Sequence, residues 1–154
     1  MIPSQLIREM PEEFFGRVLA ACPRRSRETL FARFSIPKAK KTASSLLPGK
    51  DPARILKLQQ AFAGVGDEDG NGQQLAEELI RVYLMGKRSL LGAALDELGI
   101  DHQDGLTDAE LDGISELDAD AAQALASTLS QTYDPLDVML YLRFMGAELS
   151  GFEV

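Results

Sequence analysis

The chain contains one cysteine, one histidine and no tryptophan, and each shortage removes a class of chemistry. Cys22 cannot close an intramolecular disulfide, so no bridge framework holds the fold, which suits a reducing compartment. A single histidine, His102, excludes multi-histidine zinc sites, and a single cysteine excludes thiolate metal cages. No uninterrupted apolar run is long enough to cross a bilayer. Glu9, Glu12 and Glu13 fall within the first twenty residues and leave no apolar core for a signal peptide. A cytoplasmic protein without membrane contact is therefore the expectation. No phosphate-binding glycine fingerprint exists either, because Gly86-Lys87-Arg88 lacks both the upstream glycine and the hydroxyl residue after lysine. β-branched residues are also scarce: Val, Ile and Thr number 17, against 41 Leu and Ala. Small and straight-chain side chains keep their freedom in a helix, whereas β-branched ones suit strands, so the balance predicts an all-α protein.

What is present is the composition of a folded domain, with 45% hydrophobic and 26% charged residues over 154 positions. Turn signals divide the chain into helix-sized pieces. Pro11 with Glu12 and Glu13 suits the start of a helix reaching about Ala21, where Cys22-Pro23 ends it. Further helices are predicted over Arg24–Phe34 and Lys38–Leu47, and from Asp51-Pro52 to about Ala63, separated by Ser35-Ile36-Pro37 and Pro48-Gly49. Leu75–Met85 is apolar almost all round and reads as a central buried helix. Ser89 is placed to cap a helix ending at Gly99, Thr107 and Glu110 form a capping-box pair, and Asp118 or Asp120 caps the next helix. Asp134-Pro135 opens the last, running to Met145. The expectation is a compact multi-helix bundle of about eight or nine short helices in a single all-helical domain, 1–154. Leu91, Ala94, Leu95, Leu98 and Gly99 echo the spacing of Val138, Tyr141, Leu142, Met145 and Gly146. That echo leaves an α-solenoid fragment as the lesser alternative.

Charge is unevenly spread. Residues 1–60 carry 12 Lys/Arg and 5 Asp/Glu, a balance of +7, whereas residues 61–154 carry 4 and 19, a balance of −15. Basic N-terminal helices thus precede an acidic body, with a glycine-rich connector at 64–72. Such asymmetry suits two faces with different partners, or halves that attract each other. The basic residues Arg24, Arg25, Arg27, Arg33, Lys38, Lys40 and Lys41 flank a short break at Phe34–Pro37. Together they could hold phosphates, and this makes nucleic-acid association one alternative function. The helix-turn-helix pattern itself fits poorly: Phe31 falls where a small residue is needed, Lys41 where an apolar one should pack, and Ser35 replaces the usual glycine.

The segment Asp67–Glu78 reads D-E-D-G-N-G-Q-Q-L-A-E-E. Oxygen-bearing side chains stand at its positions one, three, five and twelve, with glycine at six. On those twelve residues it resembles the calcium-binding loop of the EF-hand family. The resemblance implies a calcium site in which Asp67, Asp69 and Asn71 supply side-chain oxygens, Gln73 a backbone carbonyl and Glu78 a bidentate carboxylate. Gln74 stands where the family carries an apolar residue, and no second loop accompanies the first, so the binding implied is weak. Calcium is the one cofactor the sequence suggests. The alternative reading is an acidic connector between helices.

Catalytic motifs are not visible. His102, between Asp101 and Asp104, could hold a metal weakly, but reads more simply as a solvent-facing loop residue. Cys22 reads as a buried or half-buried residue at a helix end. Phe14, Phe15, Phe31 and Phe34 form an early aromatic cluster, and Phe14 and Phe15, being adjacent, should not both face one narrow stripe. One of them is then expected at an edge or interface. By elimination the sequence predicts a non-enzymatic protein-interaction or adaptor domain that contacts a protein partner or itself.

Overall fold

A computed structural model describes residues 2–37, 52–107 and 112–153, and every regular element among them is a helix. The protein is all-α, as its composition implies. The chain divides into two compact units, Ile2–Tyr83 and Leu84–Val154. The helix predicted over Lys38–Leu47, the Asp51 cap and Glu110 of the capping box lie outside the described residues.

The N-terminal unit holds α1 (Pro3–Glu9), α2 (Glu12–Ala20), α3 (Arg24–Arg33), α4 (Pro52–Ala63) and most of α5 (Gly70–Met85). Helix α1 has no counterpart in the predicted elements. Pro3 sits in its first turn, where a missing N–H costs nothing. Leu6 and Ile7 are fully buried, and α1 packs chiefly on α4. Its ends are satisfied from elsewhere in the chain. The Gln59 amide donates to the carbonyls of Ile7 (3.0 Å) and Met10 (2.8 Å) at the C-terminal end. At the other end Ser4 N–H donates to Gln73 Oε1 at 3.0 Å. A helix of seven residues is marginal alone, and these tertiary caps supply partners that its sequence cannot.

Helix α2 corrects the expectation for Phe14 and Phe15, since both are buried, at 1% and 0% exposure. Phe14 meets Tyr83 of α5 edge-on at 5.8 Å, and Phe15 meets Phe62 of α4 at 6.4 Å. Adjacent residues point about 100° apart on a helix. Burying both therefore requires α2 to be covered on two sides, and α4 and α5 provide them. Arg54 lies over the Phe31 ring at 3.9 Å and ion-pairs with Glu28 at 3.4 Å, which fastens α4 to α3.

The C-terminal unit contains α6 (Arg88–Glu97), α7 (Asp112–Ser115), α8 (Ala119–Leu129) and α9 (Pro135–Phe144). Asp118 caps α8 by accepting from Ala121 N–H at 2.7 Å, and Asp134 caps α9 by accepting from Leu136 N–H at 2.8 Å. Ser89 does not cap α6: it lies inside the first turn, and its carbonyl accepts from the Tyr133 hydroxyl at 3.1 Å. Helix α8 packs against α6 and α9. Lys87 pairs with the buried Asp137 at 3.4 Å.

The spacing echo has a local cause. At the end of α6, Gly99 N–H donates to Asp96 and Ile100 N–H to Leu95; at the end of α9, Gly146 N–H donates to Arg143 and Ala147 N–H to Leu142. Both are Schellman ends, with glycine at φ +68° and +95°. The repeat is thus a shared way of stopping a helix. Helix α3 stops in the same way, Ser35 N–H donating to Ala32 and Ile36 N–H to Phe31, but there the left-handed residue is Ser35, at φ 57°.

Candidate functional site

The calcium-loop residues adopt another structure. Helix begins at Gly70, position four of the twelve, so Asn71, Gln73 and Glu78 all lie within α5. Asp69 acts as a cap, its Oδ1 accepting from Gly72 N–H at 3.0 Å and its carbonyl from Gln73 N–H at 2.9 Å. The Gln73 amide group donates to Ser4 Oγ at 2.8 Å and to the Gly66 carbonyl at 3.1 Å. Glu78 is eight residues along the helix from Gly70, a rise of about 12 Å, whereas calcium ligands must all lie within about 2.6 Å of one ion. The five positions are not brought around a point. Among the described residues no group of three or more His, Cys, Asp or Glu is placed to hold a metal ion.

The reason is that the pattern Asp69-Gly70-Asn71-Gly72 also encodes a helix N-terminus. Asp is a preferred cap, and a glycine in the first turn costs less where packing demands it. A Cβ at Gly72 would stand 2.5 Å from Val65 Cγ1, so the turn closes over Val65 only because that position is glycine.

His102 is held rather than solvent-facing. Its Nδ1 accepts from Gly105 N–H at 2.9 Å, which places the neutral ring's proton on Nε2, facing Asp96 Oδ1 at 2.7 Å. Asp104 and Gly105, at φ 53° and 79°, form a type I′ turn between Gln103 and Leu106. That turn sits on the first turn of α6, since a Cβ at Gly105 would come within 2.8 Å of the Arg88 carbonyl. Arg88 and Asp104 pair at 3.5 Å. With both ring nitrogens engaged, His102 orders the turn and is not free to act as a base.

The basic residues divide. Arg24, Arg25 and Arg33 are exposed on α3 and have no ion-pair partner among the described residues. Arg27 is half-buried and donates to the Ala20 carbonyl at 3.4 Å. Lys38, Lys40 and Lys41 lie outside the described residues.

The feature that sequence reading missed is a groove between α3 and α5 within the N-terminal unit. Two adjoining hollows, of about 220 and 510 Å³, share Thr29, Leu30, Leu75 and Glu78 and so form one trough. It runs from Cys22, Pro23 and Val82 at one end to Arg33 and Asn71 at the other, which sets the two helices antiparallel. Ser26, Thr29, Leu30 and Arg33 have i, i+3, i+4, i+7 spacing on α3; Asn71, Gln74, Leu75, Glu78 and Val82 form one face of α5. The floor is aliphatic. Leu30 and Leu79 are buried, Leu75 is half-buried, and Val82 is 39% exposed, one of few large apolar side chains so open among the described residues. Burial raises the Cys22 thiol above its ordinary value at the groove's end, against the opposing pull of Arg27. The signal in the sequence was the all-round apolarity of Leu75–Met85, one side of which borders the trough among the described residues.

Comparison with known proteins gives no relative: no family model matches the chain, and neither a curated protein nor a solved structure matches it.

Proposed function

We propose that this protein is a non-enzymatic helical interaction domain that receives a helical segment of a protein partner in the α3–α5 groove. The observation that carries the reading is an apolar trough with polar rims, in a domain whose sole histidine is committed to structure. Its lining spans Asn71 to Val82 on α5, about 16 Å or three helical turns. An amphipathic helix of that length presents anchors at i, i+4 and i+7, the spacing the trough itself offers. Leu75 and Val82 would lose their remaining water contact, and each such burial contributes about 1–2 kcal/mol.

A displayed library of peptides of about 16 residues, screened against the full chain and counter-screened against Val82→Asp, tests this. Val82 is exposed, so the substitution leaves the core intact, which an unchanged melting curve would verify. Selected peptides should bind the parent protein and lose at least about tenfold in affinity on Val82→Asp, because a buried unpaired carboxylate would face their apolar side. Peptides that bind both proteins alike, or a library that yields none, would refute the groove as the binding site.

A further inference from the structure

The rims of the groove carry opposite charge, and this defines the partner more closely. On α3, Arg24, Arg25, Arg27 and Arg33 outnumber the one carboxylate, Glu28, which is already paired with Arg54. Arg33 lines the groove itself, and Arg25, one turn before Thr29 on the same line of α3, flanks it, whereas Arg24 falls on the far side of the helix. On α5, Glu77 pairs with Arg81, which leaves Glu78 facing the trough with no ion-pair partner among the described residues. A helix in the trough therefore has Arg25 and Arg33 on one flank and a carboxylate on the other.

Resting on the groove reading above, we infer that the occupant is an acidic amphipathic helix of a protein partner. Its apolar stripe sits on Leu30, Leu75 and Val82, Asp or Glu on one flank faces the α3 arginines, and a Lys or Arg on the other meets Glu78. The arrangement is that of charged residues flanking a coiled-coil seam, where the flanking pairs choose partner and orientation. Nucleic acid fits less well. Among the described residues the floor offers Leu30, Leu75, Leu79 and Val82 with no aromatic ring on which a base could stack, and Glu78 on the α5 flank gives a second line of phosphates nothing to pair with. On a protein of net charge −8, arginines on one helix are a local feature that draws an acidic segment to that helix alone.

The test uses the full chain and further readouts on the peptides selected above. The selected sequences should be enriched in Asp and Glu on one side of the apolar stripe. Their affinity should fall with added salt, and Arg25→Glu/Arg33→Glu should weaken them about tenfold. Replacing the peptide's acidic flank with lysine should restore binding to that double variant, a charge-swap rescue that misfolding could not produce. Uncharged or basic peptides that ignore the double variant but lose binding to Val82→Asp would overturn the acidic partner and leave the groove standing. Peptides indifferent to Val82→Asp would remove both. A short RNA or DNA that displaces the peptide at equal salt would overturn the inference in favour of nucleic acid. Dimerisation of the parent chain that Val82→Asp abolishes would make a second copy the occupant, and overturn it likewise.

Discussion

Ser35 shows how local geometry can oppose residue choice. Its φ of 57° belongs to the left-handed region, and the Schellman bonds on either side hold it there. A non-glycine residue in that conformation costs about 1 kcal/mol or more. Ser35→Gly should therefore raise stability by about 1 kcal/mol, read from the midpoint of a urea melt; no gain, or a loss, would mean that the Ser35 side chain contributes a compensating contact. Tyr141 gives a second prediction. Burial raises its phenol from 10.0 to about 12, so the folded state holds a proton that the unfolded state releases near pH 10. The stability linked to it is fully present below pH 10 and is lost as pH rises toward 12, by up to about 3 kcal/mol. Alkaline denaturation compared between the parent protein and Tyr141→Phe checks this. The variant should lose less stability over that window, and parallel curves would contradict it.

The helices differ in how plainly their residues announce them. Asp118 and Asp134 are caps whose side chains reach the nearest N–H groups, so the starts of α8 and α9 were legible from a few adjacent residues. The ends of α6 and α9 were legible for the same reason, through Gly99 and Gly146. Helix α1 was not, because its N–H and carbonyl partners come from Gln73 and Gln59, more than 40 positions away. The start of α5 was legible in two incompatible ways, since an aspartate before glycine and asparagine suits both an ion-wrapping loop and a helix cap. Which one forms depends on Val65 closing over Gly72 and on Gln73 tying to Ser4. The helical outcome has a direct consequence: millimolar calcium should leave the melting temperature unchanged. A saturable rise, lost in Asp67→Ala/Glu78→Gln, would show that the ion can unwind the first turns of α5.

Across the molecule, the all-α class followed from composition, whereas the groove did not, because a groove is an absence of packing between helices distant in sequence. Nothing in Leu75–Met85 says which side of an apolar helix will lack a neighbour. Charge asymmetry was visible from the sequence, but its placement was not: of the basic residues, Arg54 and Arg27 are used in holding the fold, and Arg24, Arg25 and Arg33 remain on one helix. Binding at that helix depends on the trough beside it. Amide chemical-shift mapping of the full chain with a selected peptide therefore probes the proposal most directly. The largest shifts should fall on residues 22–33 and 71–82, vanish with Val82→Asp and leave the His102 turn still. Shifts centred on any other surface, or none at saturating peptide, would contradict the assignment of the α3–α5 groove as the site of function.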